Sequence, residues 1–408
     1  RSFLPITDEV IESHLRGRRG VRGGDGTFVV GVYPMLPDET CRFLAIDFDD
    51  ENWSVDARAV IETASAKGIP AALERSRSGS GAHVWIFFSE PIAAATARRL
   101  GAAILTETME RRPDIGFSSY DRIFPAQDTL PLGGFGNLIA LPLQRHARDQ
   151  GNSVFVDAEL APHPDQWAFL ASLRRCSLED VSQVVEAAES AGRILCVRMP
   201  VDDEEADEPW RLPPSRRRTA PPISVSMPSP VRIVLADQIW IDREDLPAPV
   251  VTALIRTAAF QNPEFYRAQA MRLPTFGKPR IISCAELECN HIGLPRGCLD
   301  EALALLRSLG ADPIIEDLRA EGSSLPGGTT FRGELRPAQQ HAFTNLKGSD
   351  FGVLAATTAF GKTVIAAALV AERGRNTLIL VHRRELLTQW VERLKSFQQP
   401  KQGKWIMK

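Results

Sequence analysis

Short apolar runs alternate with amphipathic segments over the first 190 residues. Runs of three to ten residues that are rich in β-formers predict strands. Segments with apolar residues three and four apart predict helices. The predicted strands are Thr27–Leu36, Arg42–Phe48, Ile69–Glu74, Ala82–Ser89, Arg122–Phe124 and Asn137–Leu141. The predicted helices are Val55–Lys67, Ala93–Arg111, Gln166–Arg175 and Leu178–Ala191. This order predicts an α/β sheet domain that two helices close.

A charged, proline-rich stretch interrupts this pattern. Eight prolines fall between Pro200 and Pro230, together with an acidic run and an arginine triplet. Such a composition cannot bury enough apolar surface to fold alone, so it predicts a linker. A mixed region follows, and then a glycine-lysine loop between a predicted strand, Val353–Ala355, and a helix, Val364–Arg373. The apolar run Thr377–Val381 predicts one more strand.

Composition narrows the class of protein. The 408 residues suffice for two or three domains, and a hydrophobic share of 44% allows each a core. The net charge of −3 gives no overall sign of nucleic-acid binding, although basic residues can cluster locally. Six cysteines argue against a disulfide scaffold, and no apolar run is long enough to span a membrane. We expect a soluble, intracellular protein, trimmed at its N-terminus because the chain begins at Arg1.

The strand Arg42–Phe48 leads into two aspartates, Asp47 and Asp49. Side chains two apart in a strand point to one face, so these carboxylates converge. A divalent cation such as Mg²⁺ or Mn²⁺ would relieve their repulsion, because hard oxygen ligands suit these ions. A solvated strand end is the alternative interpretation.

A basic, glycine-rich loop precedes the strand that begins at Ala82. Arg75, Arg77 and the small residues 78–81 offer cations and backbone amides for phosphate oxygens. His83 stands where the loop becomes strand, within reach of a triphosphate. A structural histidine is the alternative. Further on, Asp128 precedes a glycine-rich turn and a strand, and it offers a third carboxylate unless it only shapes the turn.

Together these stretches resemble the archaeo-eukaryotic primase superfamily. Its paired Asp is matched by Asp47 and Asp49, its small-x-His motif by Gly81-Ala82-His83, and its third Asp by Asp128. The sequence of this chain resembles the primase domain of TOTE conflict systems more closely still, and the matching stretches are 45–49, 81–85 and 136–144. The resemblance covers roughly residues 1–160.

The resemblance implies a DNA primase-polymerase with an RNA-recognition-like sheet and a small N-terminal α/β lobe, residues 1–40. It implies Asp47, Asp49 and Asp128 as ligands of two Mg²⁺ or Mn²⁺ ions, with His83 beside them. Nucleoside triphosphates, a DNA template, a primer and single-stranded DNA would be its substrates and partners, without a membrane. The implied setting is the cytoplasm of a prokaryote or of a mobile element's host. The residues expected at the nucleotide are Arg75, Ser78, Ser80, Gly81, His83 and Arg145.

Two departures qualify this expectation. Many relatives have Ser where this chain has Gly81, and many carry a cation in the strand after the third motif. Residues 137–143 carry none, so Arg145, His146 or Arg148 would have to supply it. Asp121 competes with Asp128 as the third ligand.

The loop 356–363 fits a phosphate loop with Ala in the first glycine position. Backbone amides, Lys362 and Thr363 suit the phosphates and Mg²⁺ of ATP. The segment resembles a superfamily 2 helicase, with Gln339 in its adenine-reading motif and residues 380–387 in its motif for single-stranded DNA. No Asp follows Asp350, so the acidic box is missing and we expect little ATPase or unwinding activity.

Four residues of the middle region could bind zinc, although their spacing is uncommon. They are Cys284, Cys289, His291 and Cys298. Simple burial of the cysteines is the alternative. Residues 254–300 resemble the domain that precedes the helicase in TOTE systems.

The sequence therefore predicts six parts. They are a catalytic domain (1–160), a helical extension (161–199), a linker (200–230), an accessory domain (231–333), a partial RecA-like lobe (334–397) and a tail outside the family pattern (398–408). Two rival functions stay open: a catalytically silent nucleic-acid-binding module that serves a helicase, and a helicase whose front half is only a loading platform.

Overall fold

A computed structural model describes residues 6–17, 28–191, 225–325 and 330–397. The predicted tail and most of the predicted linker, residues 200–224, lie outside the described residues. The chain divides into two compact units: Arg1–Ile233 with Gln238–Ile315, and Val234–Asp237 with Glu316–Lys408.

The first unit contains a five-stranded antiparallel sheet in the order β5-β2-β4-β3-β7. Its strands are β2 (Thr40–Phe48), β3 (Ala72–Arg75), β4 (Ala82–Ala93), β5 (Ile123–Phe124) and β7 (Val154–Val156). The predicted strands at 42–48, 69–74, 82–89 and 122–124 are thus confirmed within a few residues. The central pair β2–β4 is long because β4 carries a run of β-branched and aromatic residues, Val84–Phe88, and β2 carries the apolar run Phe43–Ile46 opposite it.

Helices cover one face of this sheet. They are α2 (Trp53–Ala66), α3 (Ala94–Met109) and α6 (Leu178–Ser190), and the shorter α4 (Arg145–Arg148) and α5 (Gln166–Ser172) lie between β6 and α6 in the chain. Leu44, Ile46 and Phe48 of β2 are buried on the helical side. Gly101 lets α3 approach closely, since a Cβ there would lie 3.2 Å from Leu44 and 3.3 Å from Ile123.

A small N-terminal lobe combines α1 (Asp8–Arg16) with the two-stranded pair β1 (Gly31–Val32) and β6 (Ile139–Ala140). The predicted strand Thr27–Leu36 is therefore much shorter than expected. Buried His14 ties the lobe together, because its Nε2 lies 2.9 Å from the Pro142 carbonyl and its Nδ1 accepts from the Val30 amide. Burial lowers the pKa of His14. The neutral ring therefore fits these two bonds, one donated and one accepted.

An accessory domain follows residue 225. A five-stranded sheet has the order β12-β13-β9-β8-β14, beside a two-stranded pair of β10 and β11. The strands are β8 (Val231–Leu235), β9 (Ile239–Asp242), β10 (Ala259–Gln261), β11 (Ile281–Ser283), β12 (Glu286–Leu287), β13 (His291–Leu294) and β14 (Pro313–Asp317). The helices are α7 (Ala248–Thr257), α8 (Pro263–Ala270) and α9 (Leu299–Ser308). Pro263 at the first position of α8 and Asn262 as its N-cap explain where that helix begins.

The accessory domain packs on the first sheet domain within the same unit. Thr252 of α7 donates to the Met109 carbonyl at 2.6 Å, and Arg272 pairs with Glu39 at 2.8 Å. Arg280 is 1% exposed, and its backbone amide donates to the Asp121 carboxylate at 2.8 Å. These contacts hold the end of α3 and the chain just before β2 and β5 against α7 and the loop that follows α8.

The second unit contains α10 (Pro337–Lys347), α11 (Lys362–Arg373) and α12 (Arg384–Phe397). The predicted helix after the glycine-lysine loop is confirmed, but the predicted strands Val353–Ala355 and Thr377–Val381 are wrong. Val353 is 93% exposed and Leu380 is 83% exposed. A strand requires hydrogen-bonded neighbours, and within residues 330–397 the structure describes none beside these runs.

None of the helices in the described ranges combines the length and the apolar character that a membrane crossing needs.

Candidate active site at the end of β2 and β4

The two central strands bring an aspartate and a histidine together. In the β2–β4 register Asp47 lies directly opposite His83, and the His83 Nε2 is 3.6 Å from the Asp47 Oδ1. The side chains of Asp47 and Asp49 are 28% and 58% exposed, so solvent reaches both carboxylates. The predicted neighbourhood of this pair and His83 thus forms because antiparallel pairing places them at one end of the sheet.

A buried glutamate supports His83 from the neighbouring strand. Glu74 of β3 is 2% exposed and lies opposite His83 in the β3–β4 register. Its Oε2 is 3.0 Å from the His83 Nδ1 and accepts from the Trp85 indole N–H at 2.7 Å. The Ser153 hydroxyl donates to the other oxygen at 3.4 Å. Sequence reasoning missed Glu74, because only the strand register shows that it meets His83.

Glu74 fixes the ring and the charge of His83. A carboxylate at Nδ1 holds a proton there, so Nε2 faces Asp47. Burial alone would lower the pKa of His83, but the hydrogen bond that its ring donates to Glu74 and the charges of Glu74 and Asp47 raise the pKa above its ordinary value. The site therefore favours a cationic imidazole at the strand ends, which suits contact with an anion.

Arg122, like Glu74, is a residue of the site to which the sequence pattern gave no role. It precedes β5, whose Ile123 lies opposite Ile46, and its guanidinium forms an ion pair with Asp49. Its side chain is 35% exposed. A cation and a carboxylate thus meet beside Asp47, at the edge strand of the sheet.

The small-residue loop closes on itself above β3 and β4. The Ser76 amide donates to the Gly81 carbonyl at 2.9 Å, and Gly79 has a positive φ of 79°. The Ser78 hydroxyl lies 3.0 Å from the Ser76 hydroxyl and accepts from the Ser80 amide at 3.3 Å. The loop therefore presents hydroxyls and amides beside the strand ends.

Gly81 stands where a larger residue has no room. A Cβ on Gly81 would lie 2.4 Å from the Phe48 carbonyl oxygen and 3.2 Å from the Cα of Asp49. The lack of a side chain at Gly81 therefore lets the loop approach the carboxylate pair directly.

Two predicted nucleotide contacts are occupied by the protein itself. The Arg75 guanidinium donates to the carbonyls of Gly151 and Leu160, at 3.1 and 2.6 Å. Arg145 pairs with Asp149 along α4 at 2.8 Å. Arg75 thus acts as a brace for the chain beyond β7 rather than as a free phosphate ligand.

The structure does not bring Asp128 to Asp47 and Asp49. Its carboxylate accepts from buried Arg98 of α3 at 2.8 Å and from Gln269 of α8 at 2.9 Å. The rival, Asp121, accepts from the Arg280 amide, and burial raises its pKa. Gln269 and Arg280, which contact Asp128 and Asp121, lie 141 and 159 residues further along the chain, in the accessory domain. The interface with that domain therefore holds both carboxylates.

A comparison with protein families covers the strands that carry these residues. Residues 1–184 match the model described as the Archaeo-Eukaryotic Primase domain of the TOTE conflict system. The N-terminal part of the chain is a primase domain of this family. The match runs past residue 160, through α5 and into α6.

Residues 332–408 match the model described as the res subunit of type III restriction enzymes. The chain thus joins a primase domain to a helicase-type region. The match includes residues 398–408, which the sequence analysis placed outside the family pattern. No curated protein matches the chain.

The helicase-type region brings its predicted residues together. Gly361 begins α11 with a positive φ of 95°, and Thr363 lies in the first turn. Buried Gln339 donates to the Phe360 carbonyl at 2.7 Å. The Lys362 Nζ donates to the carbonyls of Ala356 and Thr357 at 2.7 and 3.1 Å. The loop is therefore folded around its own lysine.

The donors at the strand ends fit a primase metal. Mg²⁺ commonly binds through one or two carboxylates and completes its shell with waters and substrate phosphates. Asp47 and Asp49 supply two accessible carboxylates, and among the described residues no cluster of three or more acidic, His or Cys side chains could hold an ion by itself. The pair therefore suits an ion that arrives with a nucleotide.

The proposed zinc residues do not fit a zinc site. Cys284 and Cys289 are exposed, and the Cys298 thiol points to the Thr257 carbonyl at 3.7 Å. Burial, with the charges of Glu301 and Cys284, raises the pKa of Cys298, whereas a zinc ligand requires a thiolate.

Proposed function

We propose that the primase domain joins nucleotides on a DNA template, with Asp47 and Asp49 as the ligands of Mg²⁺ or Mn²⁺. The observation that carries the proposal is the convergence of this pair with His83 and Arg122 at one end of the sheet. Bound divalent ions would supply activation of a primer hydroxyl and neutralisation of the departing pyrophosphate.

The protein's own groups have separate roles in this proposal. His83, whose ring Glu74 orients through Nδ1, contacts a phosphate of the incoming nucleotide. Ser78, Ser80 and the backbone at Gly81 bind other phosphate oxygens. Arg122 exchanges its partner Asp49 for an anionic group of the substrate once a metal neutralises the carboxylates. Asp128 is left out of the ligand set because Arg98 and Gln269 occupy its carboxylate.

Primer extension and synthesis without a primer test this function. Wild-type protein with Mn²⁺, nucleotides and a DNA template should make product, and Asp47→Ala and Asp49→Ala should each abolish it. Asp38→Ala is the matched control, since this exposed carboxylate only caps the turn at Thr40. If wild type and both site variants are equally inert, the domain is a silent nucleic-acid-binding module.

We further propose that the region with Lys362 binds ATP but turns it over little. The support is the phosphate loop with Gln339 beside it and the lack of any Asp after Asp350. Robust ATP hydrolysis by the purified chain would contradict this part. A mobile or conflict element is the proposed genetic setting of the protein.

A further inference from the structure

A cleft lies between the primase domain and the accessory domain, within one compact unit. Its volume is about 320 Å³, and its walls come from the segments 121–137 and 265–280. Both walls are fixed to one another. The Leu132 amide donates to the Arg272 carbonyl at 2.7 Å, and the Arg280 amide donates to the Asp121 carboxylate at 2.8 Å.

The lining of this cleft combines a free aromatic ring with polar groups. Phe276 is 93% exposed, although burial of a Phe side chain typically stabilises a fold by about 1.5–3 kcal/mol. The Phe276 ring therefore contributes little to the stability of the fold. Asn137 and Lys278 stand in the same cleft and offer an amide and an ammonium group. A planar ligand with hydrogen-bonding edges matches these three side chains.

The charges of the cleft argue against a free nucleoside triphosphate. The Lys278 ammonium is shared with Glu264 at 3.1 Å, and Asp121 adds a carboxylate. Arg280 is buried, and its guanidinium lies 4.7 Å from the centre of the Phe265 ring. These residues therefore offer too little positive charge to bind a triphosphate. A nucleobase whose single phosphates stay outside the cleft avoids this conflict.

The position of the cleft connects it with the carboxylate pair. Asp121 lines the cleft, and its neighbour Arg122 pairs with Asp49. A volume near 320 Å³ is at the small end of ligand sites, about 300–1,000 Å³, and suits one nucleotide. A single strand that places one base in the cleft therefore runs beside the proposed active site.

We propose that this cleft binds one unpaired nucleobase of a single-stranded nucleic acid, by stacking on Phe276 and hydrogen bonding to Asn137 and Lys278. The inference rests on the proposed function, since it gives the template strand a place on the enzyme. Stacking on an aromatic side chain tolerates any base, so the cleft holds the strand without reading its sequence.

Fluorescence anisotropy with a labelled oligothymidylate tests the cleft on the full chain. Phe276→Ala should weaken binding about 5- to 150-fold, the range of one lost stack. Phe276→Trp should bind as wild type does, and Phe276→Leu should bind as poorly as Phe276→Ala, because leucine is apolar but cannot stack. Trp167→Ala is the control, an aromatic side chain that is 55% exposed on α5. Exposed side chains contribute little to folding, so each variant should fold.

Two results would overturn the proposal. One is unchanged oligonucleotide binding by Phe276→Ala or Phe276→Leu; retention by leucine would indicate that apolar contact, and not stacking, holds the strand. The other is competition by free thymidine triphosphate at the oligonucleotide's own affinity, which would make the cleft a nucleotide site. If wild type binds the oligonucleotide through Phe276 and yet makes no product in primer extension, the proposed function fails while the cleft stands.

Discussion

The buried carboxylate of Glu74 gives the sharpest test of how the site is built. Glu74→Ala removes the acceptor of the Trp85 N–H and the partner of the His83 Nδ1. Trp85 and Glu74 are each 2% exposed, so water does not replace the lost carboxylate. Each orphaned group costs about 1–3 kcal/mol, which gives about 2–6 kcal/mol in total. That is a large part of the stability of an ordinary domain.

A second substitution separates the two orphaned groups. Trp85→Phe removes the indole N–H and keeps most of the apolar volume. In that background Glu74→Ala orphans only His83, so the same change should cost about 1–3 kcal/mol less. Exposed Glu62 of α2 is the matched control, and Glu62→Ala should change stability by less than about 0.5 kcal/mol.

Hydrogen exchange of peptides from β3 and β4 measures these costs. Exchange reports the opening free energy of the sheet itself, which a global melt of a chain with several domains does not. Wild type, Glu74→Ala, Trp85→Phe and the double variant form a double-mutant cycle. This cycle should show a coupling energy between Glu74 and Trp85 of about 1–3 kcal/mol. Additivity within about 0.5 kcal/mol would refute the claim that Glu74 satisfies both Trp85 and His83.

Three further predictions use the same structure. Gly81→Ala should destabilise the β2–β4 end by about 1–3 kcal/mol and reduce primer extension, because its Cβ would meet the Phe48 carbonyl at 2.4 Å; full activity would show that the strand ends can separate there. Asp128→Ala should leave Arg98 as an unpaired buried charge and lower the opening free energy of α3, measured by hydrogen exchange, by about 3–5 kcal/mol, with unchanged Mn²⁺ affinity; a loss of Mn²⁺ binding equal to that of Asp47→Ala would make Asp128 a ligand. Lys362→Ala should abolish nucleotide binding at its loop and leave primer extension unchanged, so a parallel loss of both would refute two independent sites.

Much of the primase sheet could be predicted from the sequence because its signals are local. The apolar strand that ends in Asp47 and the loop that ends in His83 both carry their pattern within a dozen residues. Antiparallel pairing of β2 and β4 then brings the two motifs together without further information.

Other parts of the site depend on distant partners. Glu74 meets His83 and Trp85 only through the β3–β4 register, and a shift by one residue would turn it to the opposite face. Asp128 lies in a turn that fits a metal ligand in sequence, yet Gln269 of a later domain contributes one of its two contacts. Local pattern cannot show such a partner.

The second unit shows the same limit in another form. The apolar runs near Val353 and Leu380 have the composition of strands, but composition cannot supply the neighbouring strand that each requires. The helix after Gly361 was predictable because its cap and its apolar spacing lie within the segment itself.

A crystal of the primase chain with Mn²⁺ and a non-hydrolysable nucleoside triphosphate tests the central claim most directly. If Asp47 and Asp49 are the metal ligands, we expect an anomalous manganese peak that both carboxylates contact at roughly 2.1 Å, with the triphosphate beside His83. A bound nucleotide whose manganese touches neither aspartate, or sits instead at Asp128, would contradict it.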